Sequence, residues 1–117
     1  MNFVSWNFRG LDKSTKVEAM NDLIRMASPN VLKLQETKID EESLLSISNK
    51  SWKLNVGKAV SSRGIAGGIA TLWIINEFIL ENSHKSQHWI YTQLCHIPSK
   101  KVICLFNLYV LVNLQEI

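Results

Sequence analysis

Two rhythms of apolar and polar positions run along this chain. Asn2 to Asn7 is a short run rich in Phe, Val and Trp and predicts a buried strand, which Arg9-Gly10 breaks. The spacing then becomes helical. Val17, Met20, Ile24 and Ala27 recur on one side with Leu23 beside them, while Lys16, Asp22 and Arg25 fall elsewhere and Pro29 blocks continuation. An amphipathic helix is predicted over residues 15–27, with Thr15 and Glu18 at capping-box spacing. Val31 to Gln35 predicts a second strand, completing a βαβ-like unit whose two strands need not be adjacent.

Asp40-Glu41-Glu42 places negative charge where the helix dipole favours it, and Leu44, Leu45 and Ile47 give the short helix that follows an apolar side. Trp52 to Val56 predicts a strand ending at Gly57. Four of the five glycines then fall within residues 57–68, a loop. Beyond it the pattern is extended: Ile69 to Ile75, Phe78 to Asn82, Trp89 to Ile97 and Lys101 to Val112 are strand candidates. Pro98-Ser99-Lys100 supplies a turn that makes the last two an antiparallel hairpin. The first and last of these runs are apolar at nearly every position, and such strands need cover on both faces.

Composition narrows the class. The 117 residues are 46% apolar and 20% charged, which suits one globular domain and excludes a disordered, collagen-like or low-complexity chain. The formal charge of +3 permits a phosphate-bearing partner without demanding one. Two cysteines, Cys95 and Cys104, are too few for a disulfide framework or a four-cysteine zinc site, and both are expected as buried thiols of an intracellular protein. The N-terminus lacks a basic n-region, so no signal peptide is expected. The longest apolar run, Val102 to Leu114, is interrupted by Asn107 and Asn113 and falls short of the ~18 residues of a membrane span.

Candidate chemistry sits at strand ends. Asn7 ends the first strand, Glu36 follows the second, and Tyr109 and Asn113 lie near the C-terminus. Polar side chains at strand ends in an open α/β sheet reach a common rim, where ligands bind. A carboxylate with an amide oxygen suits a hard cation such as Mg²⁺, and Tyr109 and Asn113 can donate to phosphate oxygens. From composition alone, Glu36 reads as a solvated turn residue, Asn7 as a turn former and Tyr109 as a packed aromatic. His84, His88 and His96 lack metal-ligand spacing, the loop at residues 63–68 is not a P-loop, and the four tryptophans read as core.

Four segments in order resemble one family. Ser5-Trp6-Asn7-Phe8-Arg9-Gly10, Leu34-Gln35-Glu36-Thr37-Lys38, Gly67-Gly68-Ile69-Ala70-Thr71-Leu72-Trp73 and Asn107-Leu108-Tyr109-Val110-Leu111-Val112-Asn113 resemble the endonuclease/exonuclease/phosphatase superfamily, closest to the endonuclease domains of plant non-LTR retroelements. The match runs from residue 2 to about residue 116, and its first two motifs are specific as a pair. The resemblance implies Mg²⁺-dependent cleavage of phosphoester bonds, with Glu36 the metal ligand, Asn7 on the scissile phosphate, Tyr109 contacting the phosphate or stabilising the transition state, and Asn113 lining the cleft. It implies nucleic acid as a partner and an intracellular, nuclear location.

Phe8 departs from the small residue common in the plant members, and Leu111 from the usual Pro. The family's second half carries a His, an Asp-x-Asn pair and a final Asp-His pair, and this chain contains neither an Asp-x-Asn nor an Asp-His sequence. The expectation is therefore a truncated Mg²⁺-dependent phosphodiesterase- or endonuclease-like domain, inactive alone. Its rivals are a non-catalytic nucleic-acid- or protein-binding remnant and an enzyme active only with a complementing chain. The expected fold is α/β: the N-terminal half of a four-layer α/β/β/α sandwich, mostly one mixed sheet with helices on one face. The opposite face would lack a partner sheet. Leaving about 600 Å² of apolar surface uncovered there forfeits on the order of 15 kcal/mol, which predicts self-association through the bare face.

Overall fold

The computed structural model describes residues 1–62 and 67–109. The chain runs β1 (Phe3–Asn7), α1 (Ser14–Ala27), β2 (Val31–Gln35), α2 (Glu41–Ser51), β3 (Asn55–Val60), β4 (Ile69–Ile74), β5 (Phe78–Lys85), β6 (Trp89–His96) and β7 (Lys101–Leu108).

The first four strands form a mixed sheet in the order β1-β2-β4-β3. β1 and β2 are adjacent and parallel, with Phe3 opposite Val31 and Asn7 opposite Gln35, so α1 is the crossover of a true βαβ unit. β4 runs antiparallel between β2 and β3. Both helices lie on one face of this sheet, where Phe8, Leu11, Met20, Leu32, Leu34, Leu44, Trp52 and Leu72 form a buried cluster. This matches the expected α/β class.

The other face differs from expectation. β5, β6 and β7 turn back as a second, antiparallel sheet and pack on it, with Val31, Trp73, Phe78, Leu94 and Leu105 buried between the sheets. The doubly apolar β4 thus has cover on both sides: Ala70 and Leu72 toward the helices, Ile69 and Trp73 toward the second sheet. A strand pattern gives each strand's faces but not its sheet, which is why the second layer was not expected. The bare face is instead the outer face of the second sheet, where Val102, Phe106 and Leu108 are exposed. Cys104 lies on that face too and is exposed, while Cys95 is half-buried; both are free thiols rather than the buried ones expected. Among the described residues, no helix is long and apolar enough to cross a membrane.

Local corrections have physical causes. Helix α1 starts at Lys13, whose carbonyl accepts from Lys16 and Val17 but whose ammonium side chain has no acceptor to cap it; Thr15 is inside the helix and its capping box is not formed. The helix stops where expected, with Ser28 left-handed at φ 45° and its N–H on the Ile24 carbonyl. Asp40 does cap α2, its Oδ1 accepting from the Ser43 N–H at 2.7 Å, and this contact lowers the carboxyl's pKa below its usual value. Trp52 closes α2 and joins the helix-side core instead of opening a strand, so β3 begins at Asn55. Gly57 lies within β3, not at its end; a side chain there would overlap the Thr71 carbonyl of β4. Trp6 is 37% exposed, unlike the buried Trp52 and Trp73, because β1 is an edge strand.

Candidate active site

The parallel register brings two of the sequence candidates to neighbouring strand ends. Asn7 closes β1 opposite Gln35, the last residue of β2, and Glu36 comes next. The pairing continues past both ends: Phe8 N–H donates to the Gln35 carbonyl at 3.0 Å, Gly10 N–H to Glu36 at 2.8 Å and Leu11 N–H to Thr37 at 2.8 Å. From the other side, Thr37 N–H donates to the Gly68 carbonyl and Lys38 N–H to Gly67. Residues 36–38 are therefore clamped between the loop after β1 and the segment entering β4.

The backbone inside this clamp is unusual. Arg9, Glu36 and Lys38 all have positive φ, at 56°, 52° and 59°. Such conformations cost of order 1–3 kcal/mol in non-glycine residues and concentrate at functional sites. At Glu36 the left-handed turn takes the side chain out of the strand's alternation. Its Oε1 accepts a hydrogen bond from the Tyr109 hydroxyl at 3.3 Å. Tyr109 lies one residue beyond β7, held by its N–H on the His88 carbonyl at 2.8 Å. Burial, then the Glu36 charge, then this hydrogen bond push the phenol's pKa above its ordinary value.

Asn7 is exposed, and its Oδ1 accepts from the Arg9 N–H at 3.1 Å, closing a tight turn. Among the described residues the ion pairs are Arg25–Asp22 and Lys85–Glu41, so neither Glu36 nor Arg9 nor Lys38 has a salt-bridge partner there. No group of three or more His, Cys, Asp or Glu is placed to hold a metal among those residues. Asn113 lies outside the described residues.

Three participants carry no role in the sequence reading: Lys38, Thr37 and the Gly67-Gly68 pair. Thr37 is fully buried, and its hydroxyl has no partner among the described residues. Gly68, at φ 86°, passes so close that a Cβ would overlap that hydroxyl, and Gly67 packs beside the Tyr109 ring. The adjacent glycines were the signal in the sequence for this geometry: both take positive φ, at 82° and 86°, and Gly68 also makes the close approach.

No family profile matches the chain, and no curated protein matches it in sequence. Solved structures do. Zebrafish (D. rerio) TDP2 carrying 14 humanising mutations superposes with a TM-score of 0.73 at 16% identity, over 97% of this chain and 49% of that one. The human Nocturnin catalytic domain, with a bound sulfate anion, gives 0.71 at 18% identity over 95% and 50%. The AP endonuclease LMAP of Leishmania major gives 0.71 at 19% identity over 93% and 40%. The chain has the endonuclease/exonuclease/phosphatase fold. It spans about half the length of the TDP2 and Nocturnin chains it resembles.

Proposed function

We propose that this chain carries the metal-and-tyrosine half of a Mg²⁺-dependent phosphodiesterase site, derived from a plant retroelement endonuclease and corresponding to the N-terminal half of such a domain. The contact between Tyr109 and Glu36, beside Asn7, carries this reading. It joins residues 73 positions apart, at the ends of β2 in the first sheet and β7 in the second, next to the end of β1 where Asn7 lies opposite Gln35. The nuclease and phosphatase enzymes that share the fold support the reaction class.

The residues fit a weakly held divalent cation. Glu36 offers a carboxylate whose only described hydrogen bond is a long one, and Asn7 offers an amide oxygen with one lone pair committed to Arg9. Mg²⁺ needs only one or two carboxylates, because water and substrate phosphate complete its shell. When bound, the ion would polarise a phosphoryl oxygen and offset developing charge. Asn7 would orient the phosphate through its amide N–H groups. Tyr109, kept protonated by its raised pKa, would donate to Glu36 in the free site and to a phosphate oxygen in the complex.

Acid–base help is what the 117 residues lack. The sequence holds no Asp-x-Asn and no Asp-His to activate water or assist the leaving oxygen. Such help contributes ~10²–10⁴-fold. Nucleic acid is the proposed partner, and turnover by the chain alone is expected near background. A plasmid-nicking assay with Mg²⁺, run on the chain and on Glu36→Ala, tests this. The expected result is no metal-dependent nicking from either. Robust nicking that Glu36→Ala abolishes would overturn the half-site reading, leaving an active enzyme.

A further inference from the structure

The four sheet edges are not equally protected. β5 carries a register shift between Leu80 and Asn82, with Glu81 at the bulge and Lys85 at its end. β3 carries Lys58, and β7 begins at Lys101. Charges and bulges of this kind discourage strand addition. β1, Phe3-Val4-Ser5-Trp6-Asn7, has no charge, no proline and no bulge. It is also a parallel strand, a type normally buried, yet it stands at the edge of its sheet.

Its surroundings are apolar and open. The second sheet overlaps the first mainly through β7 on β2 and β4 and β6 on β4 and β3, so β1 lies beyond the main overlap. Phe3 is 48% exposed. On the helix side, Trp6, Ala19, Leu23, Met26 and Ala27 line a groove of about 530 Å³ whose one charged residue, Asp22, is already paired with Arg25. Met26 is 85% exposed in the last turn of α1.

The backbone shows what fits. Asn2 C=O and Phe8 N–H both turn toward β2, so the even-numbered residues between them do the same. Phe3, Ser5 and Asn7 therefore point their N–H and C=O groups outward. That set is symmetric about Ser5. A second β1 running antiparallel would place Ser5 opposite Ser5 and Phe3 opposite Asn7, satisfying every outward group.

We propose that β1 is a self-complementary edge that pairs with β1 of a second copy of this chain, joining two four-stranded sheets into one of eight. The uncharged strand, the symmetric donors and the neutral groove make two copies compatible. Phe3, Trp6, Met26 and the strand edge, counted in both copies, bury about 1,000 Å², the lower bound for a specific interface. The dimer is accordingly weak and concentration-dependent. It does not depend on the metal site.

Light scattering coupled to size exclusion tests this, at protein concentrations up to about 100 μM, where an interface of that size associates. The wild type should be dimeric at the top of the range. Ser5→Pro removes an outward N–H without touching the β1–β2 ladder, and Met26→Glu charges the groove at an exposed helix position; both should be monomeric with unchanged circular dichroism. In a Cys95→Ser, Cys104→Ser background, Ser5→Cys should cross-link to a dimer on oxidation. A monomeric wild type, or a dimer that survives either Met26→Glu or a folded Ser5→Pro, overturns the proposal. So does a dimer broken only by Phe106→Glu, which would move the interface to the outer face of the second sheet.

Discussion

Gln35 and Asn107 meet across the gap between the two sheets, with Gln35 Nε2 donating to Asn107 Oδ1 at 2.8 Å. Asn107 is 1% exposed, and its Nδ2 donates to the Ala70 carbonyl at 2.7 Å, with longer contacts at 3.3 Å to the Leu34 carbonyl and Thr71 Oγ1. One side chain on β7 thus fastens the second sheet to β2 and β4 of the first. Glu36 follows Gln35 by one residue and Tyr109 follows Asn107 by two. The amide pair is what sets the reach of the Tyr109–Glu36 contact.

Asn107→Ala removes its bonds to Gln35, the Ala70 carbonyl and Thr71 in a buried layer, leaving Gln35 Nε2, among the described residues, only its 3.2 Å contact with Ser5 Oγ. The expected loss is about 3 kcal/mol, combining unsatisfied groups with a small cavity. The urea midpoint measures it. Tyr109 should lose its hold on Glu36 in the same variant and titrate closer to an ordinary phenol.

Tyr109 ionisation follows from its three causes. With its folded pKa raised, the neutral phenol's contribution to stability is complete below the unfolded value near 10 and is lost as pH rises through the folded value. Glu36→Gln removes the opposing charge, so the pKa should fall while staying above the ordinary value, because burial is the larger cause. Tyr91 is also raised, chiefly by its hydrogen bond to Cys104, so tyrosinate absorbance is best read in a Tyr91→Phe background.

Gly68 and Thr37 form a second testable pair. Gly68→Ala forces a Cβ against the Thr37 hydroxyl at a positive φ and should cost about 2 kcal/mol or more. Thr37→Val removes a buried hydroxyl that has no partner among the described residues, and should be neutral or stabilising by up to about 1 kcal/mol. Paired denaturation curves check both signs. An equally damaging Thr37→Val would show that the hydroxyl has a partner after all.

What the sequence disclosed divides along physical lines. Local pattern located nearly every strand, and Asp40 at the head of α2, because these depend on neighbours in the chain. Asn7 and Glu36 were legible as strand-terminal residues of one βαβ-like unit, and the parallel register puts those ends side by side. Pattern did not reveal that β5–β7 would fold over as a second sheet, since alternation is the same in either layer. Nor did it reveal the Tyr109–Glu36 contact, which needs the Gln35–Asn107 bridge. Trp6 looked like core because hydrophobicity does not report whether a strand lies at an edge. Thr15 looked like a cap because its spacing fits, yet the Lys13 carbonyl starts the helix earlier.

The most direct test of the proposed cation site is paramagnetic broadening by Mn²⁺ in a ¹⁵N-labelled sample. Mn²⁺ shares the preference of Mg²⁺ for oxygen ligands. Amides of Asn7, Glu36, Thr37, Lys38 and Tyr109 should broaden first, with Mg²⁺ competing on the order of 1 mM, and Glu36→Gln should abolish the effect. Broadening that ignores these residues, or that persists unchanged in Glu36→Gln, would contradict a cation held at the ends of β1 and β2.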